Sequence, residues 1–417
     1  MKAELIAVGS ELLTPYRMDT NSLFLTDRLN RLGIEVIRKV VVGDDRSRLR
    51  ETFREAMGRA DLVIAIGGLG PTQDDVTREA AAEELGRPLK HDENVLRQIQ
   101  ERFRRFGREM APVNLRQAMV PEGAEALPNA NGTAPGLWLE TKANIIVLLP
   151  GPPPELEPMF TEQVEPRLAR RARGIELQTR ELRATGMPES EVEQRIAPLY
   201  TQYPDIQTTV LASPGEIQIH LRAWSRDRTA AAQQLEELVE QLRLALGENL
   251  FTIRGEPLEE VVAVLLNAHH ATIAVAESCT GGLVAQRLTS IPGSSSYMLG
   301  GIVCYSNELK SAWVDVPAEL IEAKGAVSRE VTVALAEGVR RRSTATLGLA
   351  VTGIAGPGGG TPEKPTGTVH VALADEAATR ERSARFPGDR ERIRLQASQF
   401  ALDMVRRYFL FGPKGRG

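Results

Sequence analysis

Short apolar runs alternate with stretches of helical spacing along the first part of the chain. Residues 4–8 read as a buried strand, ended by Gly9, with Ser10 placed to cap the next element. Leu23, Leu25, Leu29 and Leu32 lie at helical spacing across 20–32, and Gly33 is a natural stop. A strand at 34–42, a helix at 47–59 and a strand at 62–66 follow. Another buried strand at 144–149 is cut off by Pro150-Gly151-Pro152-Pro153-Pro154. Strands alternating with helices predict a parallel sheet covered on both faces.

The pattern changes after the arginine-rich stretch 167–174, where a domain boundary is expected. Beyond it, strand-like runs at 206–211 and 216–224 and a helix at 229–246 make a small section of mixed α+β character. From about residue 257 the alternation resumes. Helices are predicted at 258–268, 282–290 and 389–409, and strands at 272–276, 298–305, 347–352 and 368–374. The expected architecture is α/β: two α/β domains (1–170 and 253–417) with mainly parallel sheets, joined by a small domain (171–252).

Composition narrows the class. Of 417 residues, 42% are hydrophobic and 25% charged, the balance of a globular enzyme, and the net charge of −4 gives no reason to expect nucleic-acid binding. Two cysteines, Cys279 and Cys304, cannot make a disulfide framework or a cysteine zinc site. No basic-then-apolar leader precedes the first strand, and no apolar run is long enough to span a bilayer. A cytoplasmic location, away from membranes, is therefore expected.

Three segments near the C-terminal side carry candidate chemistry. Glu277-Ser278-Cys279-Thr280-Gly281-Gly282 sits where a strand gives way to a helix, a turn that can expose a nucleophile and aim backbone N–H groups at an oxyanion. Ser278 or Thr280 acting only as a helix cap is the plainer alternative. Tyr305-Ser306-Asn307-Glu308-Leu309-Lys310 ends the next strand. There a buried Lys310 could take a serine proton and Tyr305 could orient it or pass a proton on. The loop at Thr352-Gly353-Ile354-Ala355-Gly356 and onward to Gly360 is rich enough in glycine to approach an anion, and Arg390 could meet the same anion. Cys279 is a rival nucleophile, since a thiolate at a helix N-terminus is intrinsically reactive.

The N-terminal section has its own cluster. Gly67-Gly68-Leu69-Gly70-Pro71-Thr72 closes a buried strand, and Asp74 and Asp75 are expected to open the helix after it. Aspartates in a first turn can simply complement the helix dipole. Two carboxylates beside a phosphate loop instead call for a Mg²⁺-type ion between acid and diphosphate. Asn21 and the loops at 132–136 and 150–153 adjoin the same strand ends.

Taken together, the C-terminal strings A-E-S-C-T-G-G, Y-S-N-x-x-K, G-A-V-S (325–328) and T-G-I-A-G-P resemble the nicotinamide-mononucleotide amidohydrolase domain of the CinA (competence/damage-inducible protein A) family. The strings G-S-E-L-L, D-T-N, G-G-L-G-P-T-x-D-D-x-T, N-G-T-A-P-G and P-G-P-P resemble the molybdopterin-binding fold that begins such proteins. The resemblance implies a C-terminal enzyme that turns nicotinamide mononucleotide into the acid mononucleotide and ammonia without a cofactor. Ser278 would be its nucleophile, Lys310 the base and Tyr305 a supporting group, with substrate held by Cys279, Thr280, Gly281, Gly282, Thr352, Gly353, Ile354, Ala355, Gly356 and Arg390. It also implies a metal-dependent ADP-ribose pyrophosphatase at the N-terminal end. Asp74 and Asp75 would stand on the metal side, and Gly67, Gly68, Gly70, Thr72 and Asn21 around the substrate. The family's middle section is described as KH-like, but no Gly-x-x-Gly clamp stands between 175 and 250, so a linking role is expected there and nucleic-acid binding is not. The expected state is a homodimer. The alternative reading is a nucleotide- or molybdopterin-binding adaptor that works through a partner protein.

Overall fold

A computed structural model describes residues 1–172 and 176–412. By packing, the chain divides into two compact units, Met1–Leu177 with Trp224–Ala230, and Gln178–Ala223 with Ala231–Gly417. Arg173 and Gly174 of the expected boundary stretch, and Ile175 beside them, lie outside the described residues.

In the first unit, β1 (Lys2–Val8), α1 (Asn21–Arg31), β2 (Glu35–Val42), α2 (Arg46–Met57), β3 (Leu62–Ile66) and α3 (Thr77–Glu84) follow the predicted alternation. A short antiparallel pair, β4 (Leu89–His91) and β5 (Met119–Pro121), flanks α4 (Glu93–Arg105). Then come β6 (Glu125–Leu127), β7 (Gly136–Glu140), β8 (Ile145–Leu149), α5 (Pro153–Met159) and α6 (Glu165–Arg171). The main sheet runs β2-β1-β3-β8-β7-β6. Its first four strands are parallel, and β7 and β6 are antiparallel additions. Successive side chains of a strand point to opposite faces. Leu5, Ile64 and Ile66 accordingly join the core beneath Leu25, Leu29 and Leu156, whereas Ile6, Val63 and Ala65 join the one beneath Leu49, Phe53 and Ala80. The helix after the glycine loop begins at Thr77, not at Asp74 as expected. Asp75 turns back on Thr72, and Val76 is the capping position.

The second unit opens with β9 (Glu176–Thr185), α7 (Glu189–Tyr200), β10 (Ile206–Ser213), β11 (Glu216–Ser225), α8 (Arg228–Leu246) and β12 (Leu250–Thr252), of which the first two residues of β9, the last two of β11 and the first three of α8 fall to the first unit. Its four strands run β10-β11-β9-β12 around a core that includes Leu182, Ile196, Ile219 and Leu235. There follow α9 (Leu258–Ala268), β13 (Ile273–Glu277), α10 (Leu283–Thr289), β14 (Met298–Val303), α11 (Asn307–Val314), α12 (Ala318–Lys324), α13 (Arg329–Ser343), β15 (Leu347–Gly353), β16 (Thr368–Ala374), β17 (Thr379–Arg385) and α14 (Arg390–Phe411). Their sheet runs β14-β13-β15-β16-β17, with the first three strands parallel and the last two antiparallel. The polar β17 had no apolar run to betray it, and pairing along β16 places it. Ala274, Ala276, Ala350 and Ala372 pack on the α13 side, and larger Ile273, Val275 and Leu349 on the α9 and α14 side. The parallel strands β13 and β15 end side by side. This C-terminal edge is where ligand sites collect in such sheets.

Candidate active sites

The buried strand β13 delivers Ser278 to that edge, where the Ser278 N–H donates to the Val351 carbonyl of β15 at 2.9 Å. Gly281 and Gly282 take positive φ (60° and 95°), which glycine tolerates without a Cβ clash and which turns the chain sharply into α10. Glu277 is buried, and its carboxylate accepts from the N–H groups of Gly282 (3.0 Å), Val284 (3.1 Å) and Ala285 (2.8 Å). The donors at the start of α10 are thus already satisfied by a carboxylate where the helix dipole favours one. Gly282 therefore offers no amide to a substrate, against expectation. The Cys279 and Thr280 N–H groups donate to no oxygen among the described residues, approach only the Cys279 sulfur, and are left beside Ser278.

Cys279 is also buried, and desolvation pushes its thiol up to about 12. A thiol held protonated at neutral pH is a poor nucleophile, so the geometry removes the internal rival to Ser278. Thr280 is buried as well, with its Oγ1 unpartnered among the described residues.

Lys310 lies in α11 and is only 1% exposed, a cost no globular protein bears without reason. Its Nζ donates to the Tyr305 carbonyl at 3.1 Å and to the Ser306 carbonyl at 3.4 Å, with no carboxylate partner among the described residues. Desolvation lowers its pKa, opposed in smaller measure by the nearby Cys304 and Cys279. Tyr305, 54% exposed, presents its phenol to solvent and accepts a hydrogen bond from Arg390 at 2.7 Å. The other arm of Arg390 donates to the Gly356 carbonyl at 2.8 Å, so one guanidinium ties the tyrosine to the glycine loop. One turn on, Arg394 donates to the Thr280 carbonyl at 2.7 Å. Thr352 is buried and bonds the Ala326 carbonyl at 3.1 Å, and Ser328 caps α13, so G-A-V-S is scaffolding behind the site. Gly353 is obligatory because a Cβ there would stand 2.7 Å from the Thr368 carbonyl. The Ile354 N–H is taken by that carbonyl, Ala355 and Gly356 are buried, and the loop is exposed only from Pro357 onward.

Sequence reasoning named the loops and Arg390 but passed over Glu277 and Arg394. Arginines at a helix start ordinarily face water, and nothing in the local string marks Arg394 as an exception. Glu277 could have been found: a carboxylate ending a buried strand just before a helix is badly placed unless it caps that helix.

The N-terminal cluster gathers at the ends of β1, β3 and β8. Gly67 and Gly68 adopt positive φ, and a Cβ on them would meet the Val8 carbonyl at 2.5 Å and Thr77 Oγ1 at 2.2 Å. Thr77 bonds the Gly67 carbonyl at 2.8 Å, and Asn21 bonds the Gly151 carbonyl at 2.7 Å while its Oδ1 is buried without a partner. Asp75 accepts from the Thr72 N–H at 2.8 Å, pressed against Gly70. Arg116 holds the Thr72 carbonyl at 2.6 Å, and the buried Arg78 holds the Leu69 carbonyl at 2.8 Å. These two arginines were also unforeseen. Asp74 is exposed, with its pKa lowered by a hydrogen bond from Thr72. Among the described residues no three His, Cys, Asp or Glu side chains converge to hold a metal. The donor set fits an ion that brings most of its ligands with it, as Mg²⁺ does when it arrives with a diphosphate and water. The acids that fit are Asp74 and the Asp75 oxygen not engaged by Thr72.

Two α/β sheets with glycine-rich loops at their strand ends, joined by a small α+β section, define the class, and comparison with known proteins supplies the family. Residues 4–170 match the Probable molybdopterin binding domain, 179–252 the Damage-inducible protein CinA KH domain, and 255–409 the CinA C-terminal domain. The CinA-like protein of Koribacter versatilis is 48% identical over 411 residues, covering 98% of this chain and 99% of its own. That of Solibacter usitatus is 49% identical over 407 residues, covering 98% of each. The chain belongs to the CinA family. Among solved structures, the CinA protein of Thermoplasma acidophilum matches 40% of this chain and 97% of its own, at 35% identity and a TM-score of 0.38. No helix among the described residues is long and apolar enough to cross a membrane.

Proposed function

We propose that this protein is a bifunctional hydrolase of pyridine nucleotides. Its C-terminal site deamidates nicotinamide mononucleotide, and its N-terminal site cleaves ADP-ribose to AMP and ribose 5-phosphate. The observation that carries the amidase reading is Lys310: a fully buried ammonium without a carboxylate, depressed in pKa, in the electrostatic neighbourhood of the strand-end loop that presents Ser278.

In this reading neutral Lys310 accepts the Ser278 proton as Oγ attacks the carboxamide carbon. The Cys279 and Thr280 N–H groups face the oxyanion. Collapse breaks the C–N bond, the proton returns from Lys310 to the leaving nitrogen with Tyr305 as relay, and ammonia departs. Water then hydrolyses the acyl-serine by the same proton path and frees the acid mononucleotide. Arg390 and the 353–359 loop hold the phosphate. At the N-terminal site Asp74 and Asp75 would hold a magnesium-type ion that supplies Lewis-acid stabilisation of the diphosphate, while Gly68 and Gly70 bring backbone N–H groups to its oxygens and Asn21 orients the sugar side. The Gly67 and Thr72 N–H groups, already given to the Leu149 carbonyl and to Asp75, shape the loop instead. The protein works as a cytoplasmic homodimer, and edge strand β14, with Leu299 and Val303 exposed, offers a pairing surface that light scattering can test.

The deciding experiment is ammonia release from nicotinamide mononucleotide by the wild type and by Ser278→Ala, Cys279→Ala and Lys310→Ala. Activity that needs Ser278 and Lys310 but not Cys279 supports the reading. An inert wild type would turn the assignment toward a binding protein.

A further inference from the structure

A cleft of about 750 Å³ lies within the second unit, away from Ser278. One wall is the β9–α7 link and the β10–β11 turn. The other is the end of β17, the Phe386-Pro387 link and one face of α14. The two walls meet where Gly215, at φ 82°, lies so close to α14 that a Cβ there would stand 3.1 Å from Gln399. The volume is in the range of sites that enclose small organic ligands.

Its charges are unequally matched. Among its acids, Glu216 pairs with Arg183 (3.2 Å), and Asp403 and Glu248 pair with Arg407 (2.6 and 3.1 Å). Glu189 is the remaining acid. Against it stand three arginines: Arg382, whose guanidinium lies 5.3 Å from the Phe400 ring centroid, and Arg385 and Arg392, whose side chains make no hydrogen bond or ion pair among the described residues. Met187, Ile217 and Phe386 add apolar lining. Unpaired guanidinium groups converging on a concavity suit a phosphate, and the apolar side suits the body of an ester.

We propose that this cleft binds a nucleotide-sized phosphate ester, with Arg385 and Arg392 receiving the phosphate, at a site separate from either hydrolytic cluster. The helical repeat of α14 keeps it separate from the amidase. Arg392, Gln396, Gln399 and Asp403 form the stripe facing the cleft, while Arg390 and Arg394 form another, bonded to Tyr305, Gly356 and Thr280. The ligand therefore sits against the reverse side of the helix that steadies the Ser278 loops.

The test is equilibrium dialysis of AMP against the full chain, a readout that needs no hydrolytic activity. Arg385→Ser/Arg392→Ser alters two exposed side chains and should leave the melting temperature unchanged. It should weaken one class of AMP site about 100-fold, roughly tenfold for each charge-assisted contact. Unchanged stoichiometry and affinity in the double variant overturns the proposal. Inorganic pyrophosphate competing as well as AMP would refute the ester and leave a bare phosphate site.

Discussion

The two clusters use the same device, glycines at the ends of parallel strands, yet they hold their polar groups differently. At the C-terminal site Glu277 and Lys310 are buried, and an arginine from a distant segment ties the loops together. Glu277 caps α10, Lys310 rests on Tyr305, and Arg390 links Tyr305 to Gly356. At the N-terminal site the acids are open to solvent or folded into their own turn, and the loop is steadied locally by Thr72, Thr77 and Arg116. The first arrangement carries its reactive state in the fold, at the cost of an uncompensated buried ammonium. On the proposed function, the second is completed only by an ion and a diphosphate. Pre-organised chemistry and ligand-completed chemistry can thus be told apart by where the charges are stored.

That contrast can be broken most directly at the reacting groups. Ser278→Ala and Lys310→Arg should each lower deamidation by about 10³-fold or more, since a guanidinium cannot act as base, with ADP-ribose turnover intact. Loss of both activities in one variant would merge what we separate. Asp75→Asn should lower ADP-ribose hydrolysis by about 10²-fold and leave ammonia release unchanged, measured at saturating magnesium. Glu277→Gln leaves the α10 donors with a weaker, neutral acceptor, and should lower kcat for deamidation by about tenfold and stability by about 1–3 kcal/mol, read from urea unfolding.

The pH dependence sharpens the comparison further. Burial lowers the Lys310 pKa, so its neutral form is favoured in the fold and the charged form opposes folding. Deamidation should fall as pH drops through that lowered value, and Lys310→Arg should abolish the limb. Stability should rise with pH between the lowered value and the ordinary lysine range, because the unfolded chain binds the extra proton there. Lys310→Met should therefore melt higher than wild type at neutral pH, by about 0.5–2 kcal/mol, while being inert. The smallest effect belongs to Cys279→Ala, which should change deamidation by less than about threefold, since the thiol pushed up to about 12 takes no part.

Much of the scaffold was legible because buried parallel strands are nearly continuous apolar runs, as 62–66 and 145–149 are. The strand ends, and with them Ser278, Gly67 and Gly68, followed from those runs. Lys310 was legible as a candidate from its place one turn past a strand end, but its burial was not, because burial depends on how α12 and α13 pack against α11. Arg394 and Arg78 were invisible for the same reason: a guanidinium that serves a backbone carbonyl far away in sequence has no local signature. Asp75 misled, since the residue pattern of a helix first turn is shared by a carboxylate that closes a tight loop onto Thr72.

The arginine clamp on α14 also has a consequence in time. Thr280 and Arg394 are 114 positions apart, whereas Thr72 and Asp75 close on each other within 3. As a ribosome adds residues in order, the N-terminal loop can mature as soon as its own sheet forms, but the Ser278 loop must wait until α14 has emerged. A nascent or proteolytically shortened chain that ends before Arg390 would carry Ser278 in an unclamped loop. Completion of the polypeptide thereby acts as the licence for the C-terminal cluster and not for the N-terminal one.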